Sequence, residues 1–142
     1  MRKHLLVRYL LPVPRCDAAE ILRVHASAAM DVSDGLVGDL AKLCDASGVS
    51  AKVEVARVPF SAAARSALAA DGKLIQAMLT GGDDYEIVAT VAPDRLTALR
   101  ARARAAGIAF TEIGEVKRGQ GARFIGRDGN AMTFRRPSFS HF

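Results

Sequence analysis

Three features of the chain predict a mixed α/β fold (α+β mixed), in which helices pack on a mixed β-sheet. Helical and strand-like periodicities alternate along most of its 142 residues, the pattern that builds layered α and β structure. Apolar β-runs at 28–32 and 85–91 each adjoin a turn rich in glycine or aspartate. With 50% hydrophobic and 25% charged residues, the chain has a globular protein's composition and one domain's length.

The elements read in order along the chain. Residues 1–16 form an extended lead-in, because Pro12 and Pro14 forbid a continuous helix there. Asp17 caps a helix running to about His25, with Ile21, Leu22 and Val24 as its apolar members. Residues 28–32 are a strand. From 34 to 47, Leu36, Val37, Leu40, Leu43 and Cys44 follow helical spacing, Asp39 falls on the polar side as a solvated acid, and Gly48 supplies the stop. Residues 49–55 alternate Val53 and Val55 with Lys52 and Glu54, a strand pattern. Two short helices, 61–70 and 73–79, flank Asp71-Gly72. Residues 85–91 are a buried strand that Tyr85 opens as a core residue. Residues 94–106 are a helix with Leu96, Leu99 and Ala103 inward, and 110–116 a strand. Residues 122–126 and 131–134 flank Arg127-Asp128-Gly129-Asn130, a hairpin signal.

Composition also narrows function. No apolar run approaches the roughly 20 residues that span a bilayer. The basic start is broken at Arg8 and lacks a small-residue cleavage site, which argues against a signal peptide and makes the cytoplasm the default location. The net charge of +5 raises the question of nucleic acid. Its arginines are dispersed, however, and Arg95, Arg100, Arg102 and Arg104 share one helix with no interleaved aromatics for base stacking. That is a solvated helix face, so neither nucleic acid nor membrane is an expected partner, although a basic domain helps to hold polyanionic substrates. Cys16 and Cys44 lack metal-type spacing and give neither a zinc site nor a disulfide framework.

Asp31-Val-Ser33-Asp34-Gly35-Leu36 is the most informative stretch. It sets two carboxylates three residues apart where a strand meets a helix. Such a junction offers unpaired N–H groups and a positive dipole end. Two acids there can hold Mg²⁺ through oxygen while the amides and Ser33 face a phosphate. Equally, Ser33 or Asp34 can simply cap the helix, leaving Asp31 a solvated strand-end acid. A second acidic turn, Gly81-Gly82-Asp83-Asp84-Tyr85-Glu86, again joins an apolar strand; its acids can be ordinary turn residues.

Taken with Arg8-Tyr9-Leu10-Leu11-Pro12-Val13-Pro14-Arg15, Ile113-Gly114-Glu115-Val116 and the final His141-Phe142, these pieces resemble the C-terminal half of the thiamine-monophosphate kinase family. That family shares a superfamily with aminoimidazole ribonucleotide synthetase, selenophosphate synthetase and the hydrogenase maturation protein HypE. The resemblance implies that 17–142 is the superfamily's C-terminal domain and that 1–16 leads in from a missing N-terminal domain, which carries most of the ATP and Mg²⁺ ligands. It implies an ATP- and Mg²⁺-dependent transfer of phosphate to thiamine monophosphate, giving thiamine diphosphate, by a full-length homodimer; the fragment alone is expected to be inactive. By the same resemblance Asp31 and Asp34 are Mg²⁺ ligands, Ser33 touches the ATP phosphates, and Asp83 and Phe139 contact the thiamine substrate, with no further catalytic residue assigned. Two departures stand out: the family often has Glu at Asp83, and Ser138 replaces a frequent Gly. The alternatives are a non-catalytic ligand-binding domain of the same fold, or a protein of the HypE or selenophosphate synthetase type. HypE would end in a cysteine, whereas this chain ends in Phe142.

Overall fold

The computed structural model describes residues 2–136. Strand β1 (Ala26–Val32) pairs antiparallel with β3 (Glu86–Val91) in a two-stranded ribbon. A separate three-stranded sheet has β2 (Val49–Glu54) at its centre, antiparallel to β4 (Gly114–Arg118) and parallel to β5 (Gly121–Ile125). The expected mixed sheet is therefore this second one, with the ribbon beside it.

Helix α3 (Leu36–Ser47) joins the two, packing against β1 and against β2 and β5. Its apolar members Val37, Leu40 and Cys44 are buried with Val32, Val88, Ala51, Val53, Leu79 and Phe124 in one core. Phe124 meets Phe134 edge to face, the ring centroids 5.6 Å apart, a favoured aromatic geometry. Gly48 ends α3 in the left-handed conformation (φ 63°), as its position predicts. Burial pushes the Cys44 thiol pKa up, in keeping with an inert core residue.

A smaller core forms where α2 (Ala19–His25) packs on α6 (Pro93–Ala105). Ile21, Leu99 and Ala103 are buried there, with Val91, Ile108 and Phe110 against them. The arginines of α6 face outward, as expected. Helices α4 (Ala62–Ala70) and α5 (Leu74–Thr80) cover the chain between β2 and β3, and Ser61 caps α4 by accepting the Ala64 N–H at 3.1 Å.

Several local readings are corrected. The lead-in is not extended throughout: α1 spans Arg2–Leu10. Its leucines and arginine are good helix formers, and Pro12 and Pro14 stand beyond its end, where proline limits a helix without preventing it. Asp17 caps nothing; it lies in a 3₁₀ turn (Cys16–Ala18), and α2 begins at Ala19. The strand expected from 110 starts at Gly114, because Phe110 is drawn into the α2–α6 core. The hairpin around Asp128-Gly129 shrinks to one bridge, Ile125 to Ala131, held by the Gly126 N–H on the Asn130 carbonyl and the Met132 N–H on the Phe124 carbonyl, both at 2.8 Å.

Candidate functional site

The ribbon delivers both acidic turns to one end. Asp31 stands exposed near the end of β1, paired in register with Ile87, while Val32 turns into the core opposite Glu86. The chain then bends through Ser33 and Asp34 to Gly35, at φ 99° and ψ 145°. A side chain at Gly35 would place its Cβ 2.6 Å from the Thr80 carbonyl carbon and 2.8 Å from the Gly81 oxygen. Only glycine tolerates both the dihedral and the approach. The two turns are then stitched together by the Asp83 N–H, which donates to the Ser33 carbonyl at 2.8 Å. Ser33 and Asp83 are thus brought together, with Asp34 beside Ser33 and Asp31 at the neighbouring strand end. Phe139 and the His141-Phe142 ending lie outside the described residues.

Asp39 is the residue that sequence reasoning misplaced. It is 1% exposed, not solvated. One carboxylate oxygen accepts both the Ser33 N–H (2.9 Å) and the Asp34 N–H (2.8 Å), and the other accepts from the Lys42 ammonium at 2.9 Å. A signal existed: Asp39 lies three residues after Leu36 and four before Leu43, so helical geometry sets it on their face. Burial of a carboxylate is tolerated where hydrogen bonds and a cation compensate it. The finding also corrects one expectation. Neither Ser33 nor Asp34 caps α3 by its side chain, since its N-cap is Gly35. The amides of Ser33 and Asp34 turn inward onto Asp39.

Lys42 also donates to Asp34 Oδ2 at 2.6 Å. Hydrogen bonds to Asp34 and then Asp39 raise the lysine pKa. On the second turn, Asp83 and Tyr85 adopt left-handed φ values of 64° and 53°, an uncommon conformation for non-glycine residues, above all for a bulky one. The left-handed step swings Tyr85 out of the strand's alternation, leaving it 41% exposed where core packing was expected. Asp84 has an exposed surface, yet the protein around it and then the carboxylates of Glu86, Asp83 and Asp39 push its pKa up to about 6. Glu86 is gripped from the lead-in: Arg15 Nε and Nη2 donate to its two oxygens at 2.9 and 2.6 Å, and Arg8 approaches to 3.8 Å. This fork-on-fork pairing ties the Arg8–Arg15 segment to the second acidic turn.

Among the described residues, no three His, Cys, Asp or Glu side chains converge so as to hold a metal by themselves. Asp31 and Asp34 offer hard oxygen donors of the kind Mg²⁺ takes one or two at a time, its other positions filled by water and phosphate, so the donor set fits Mg²⁺ as a shared site. Two clefts, of about 400 Å³ beside Lys52, Lys117 and Arg123 and about 380 Å³ beside Arg100 and Phe110, are lined by other residues. The candidate site is an open edge. No described helix is long and apolar enough to cross a membrane.

An acidic strand–helix junction, held by a buried carboxylate and stitched to a second acidic turn, occurs here within a family-wide match. Residues 3–127 match the family described as AIR synthase related protein, C-terminal domain, and the chain belongs to that family. Within it the resemblance is to thiamine-monophosphate kinases. The chain is 42% identical to that of Caulobacter vibrioides over 129 residues, covering 87% of this chain and 37% of the relative. It is 39% identical to that of Salmonella typhimurium over 140 residues, covering 98% and 42%. A crystal structure of thiamine-monophosphate kinase from Stenotrophomonas maltophilia superposes with a TM-score of 0.78 at 39% identity, covering 89% of this chain and 39% of that one. A structure described as AaThiL complexed with AMPPCP and TMP gives 0.78 at 31% identity, covering 98% and 41%. Escherichia coli HypE, at 22% identity and a TM-score of 0.67, shares the fold. The chain spans about two-fifths of the length of the curated relatives it matches.

Proposed function

We propose that the chain is the C-terminal half of an ATP- and Mg²⁺-dependent phosphotransferase that converts thiamine monophosphate to thiamine diphosphate in the cytoplasm. The observation that carries this reading is the Asp83 N–H to Ser33 carbonyl bond, which makes one edge of two acidic turns. The resemblance to thiamine-monophosphate kinases and the ATP analogue and TMP of the AaThiL complex support it. Asp31 and Asp34 hold Mg²⁺, the Ser33 hydroxyl donates to an ATP phosphate, and Asp83 with Phe139 engages the thiamine side of the substrate. Bound Mg²⁺ neutralises the charge of the two phosphates that must meet. Asp39 keeps the Ser33–Asp34 backbone in place, so that these side chains need not be ordered by the substrate.

Residues 1–16 lead in from an N-terminal domain on this reading, and 17–142 form the C-terminal domain. Leu5, Leu6, Val7, Tyr9, Leu10, Leu11 and Val13 are exposed, more apolar surface than a lone domain usually presents in one segment, and the full-length protein is a homodimer. Asp31→Asn and Asp34→Asn, made in the full-length protein, are expected to abolish thiamine diphosphate formation without changing the circular dichroism spectrum. Near-normal turnover of both at saturating Mg²⁺ would overturn the assignment. Residues 1–142 alone are expected to form no thiamine diphosphate.

A further inference from the structure

Lys42 occupies a position that the proposed reaction does not use. Its ammonium stands between two carboxylates, 2.6 Å from Asp34 Oδ2 and 2.9 Å from Asp39 Oδ1. Asp39 is buried and fixed by two backbone amides, so it anchors the lysine, one helical turn further along α3, against the turn that carries Asp34. The half-exposed Lys42 side chain thereby brings a positive charge to the carboxylate named above as a cation ligand.

We infer that Lys42 is an internal counter-ion of Asp34, which competes with a divalent cation for that carboxylate. The inference rests on reading Asp34 as a cation ligand. A divalent ion at Asp34 either displaces the ammonium from Oδ2 or lies within a few ångströms of it, and either outcome weakens its binding. Lys42 thus disfavours capture of a bare cation by the two aspartates and leaves retention to an ion that arrives with anionic ligands of its own. A purely structural lysine, needed to orient Asp34, would have the opposite effect on removal.

Titration of the 142-residue chain with Mn²⁺, read by paramagnetic broadening of the backbone amides and checked by competition with Mg²⁺, tests this without any catalytic assay. Lys42→Gln and Lys42→Met are expected to bind Mn²⁺ about 3- to 10-fold more tightly than the parent. Lys42→Arg, which keeps the charge, is expected to stay within about 2-fold of it. The two neutral variants guard against a folding defect in one, and circular dichroism checks both. Asp34→Asn is expected to weaken binding and remove the broadening around residues 33–35. Unchanged Mn²⁺ binding in Asp34→Asn would overturn the reading of Asp34 as a ligand, and this inference with it. Binding that depends on Asp34 but is equal or weaker in both neutral Lys42 variants would overturn the counter-ion role alone.

Discussion

Replacing Asp39 separates the work of its shape from the work of its charge. Asp39→Ala removes an acceptor of three hydrogen bonds, two from backbone amides and one from Lys42. A hydrogen bond to a charged group contributes about 1.5–3 kcal/mol. Ser33 is exposed and Asp34 partly so, hence water can recover the freed amides and the lower end of that range applies to each. The half-exposed ammonium contributes at most about 1 kcal/mol. The loss is then about 3–4 kcal/mol, a fall in Tm of roughly 10 °C for a domain of this length. Asp39→Asn offers the discriminating comparison. Its amide oxygen can accept both N–H groups, as the single carboxylate oxygen does, but its NH₂ then confronts the lysine. About half the loss is expected, roughly 5 °C on the same scale. Thermal unfolding followed by circular dichroism ranks the three chains, and amide exchange at Ser33 and Asp34 should be fastest in the alanine variant. An alanine variant within 2 °C of the parent, on a scale where about 1 kcal/mol moves Tm by 2–4 °C, would refute the argument. An asparagine variant as unstable as alanine would refute the shared-acceptor geometry.

Other perturbations give distinct signatures. Gly35→Ala should destabilise by about 3 kcal/mol or more, since it combines a forbidden φ with a 2.6 Å backbone clash; a Tm unchanged on calorimetry would show that the turns separate freely. Arg15→Ala breaks a bidentate pair whose side chains are 37% and 48% exposed, so only about 1 kcal/mol is at stake; the Tm difference from the parent should shrink in high salt, and a large, salt-independent fall would contradict this. Asp84 has a pKa raised from 3.8 to about 6 in the folded chain. The native state therefore holds its proton more tightly than the unfolded one, and stability should decline as pH rises from about 4 to 6 and then level off. Asp84→Asn should flatten that decline in a urea-unfolding series, and an identical pH profile would remove Asp84 as its source.

Legibility in the sequence followed periodicity. Helix α3 and strands β1, β2 and β3 were readable because 3.6- and 2-residue patterns are local properties, and Gly48 announced its own conformation. The edge strands were harder. Phe110 has strand propensity, yet a distant contact with α2 and α6 claimed it. At the site, the family motifs marked both acidic turns, but the links between them run through backbone atoms: the Asp83 amide, the Ser33 carbonyl and the amides that Asp39 accepts. Side-chain patterns carry no record of such bonds. Asp39 looked solvated because it is an acid; only its shared face with Leu36 and Leu43 argued otherwise.

The pairing scheme also sets when the site can come into being. Ala26 meets Val91, Val49 meets Arg118 and Ser50 meets Gly121, so both sheets close loops of more than 50 residues. Closing such loops costs chain entropy before any contact repays it, and folds dominated by distant pairings form slowly. As the chain leaves the ribosome, β1 and α3 emerge long before β3, and the first acidic turn waits through about 50 residues for the second. During that interval Val32 and the apolar side of α3 have no finished core to enter. A stall or cut between Ser47 and Thr80 would therefore release a chain with one acidic turn, no sheet and an uncovered helix, a product for proteolysis and not a partial binding site.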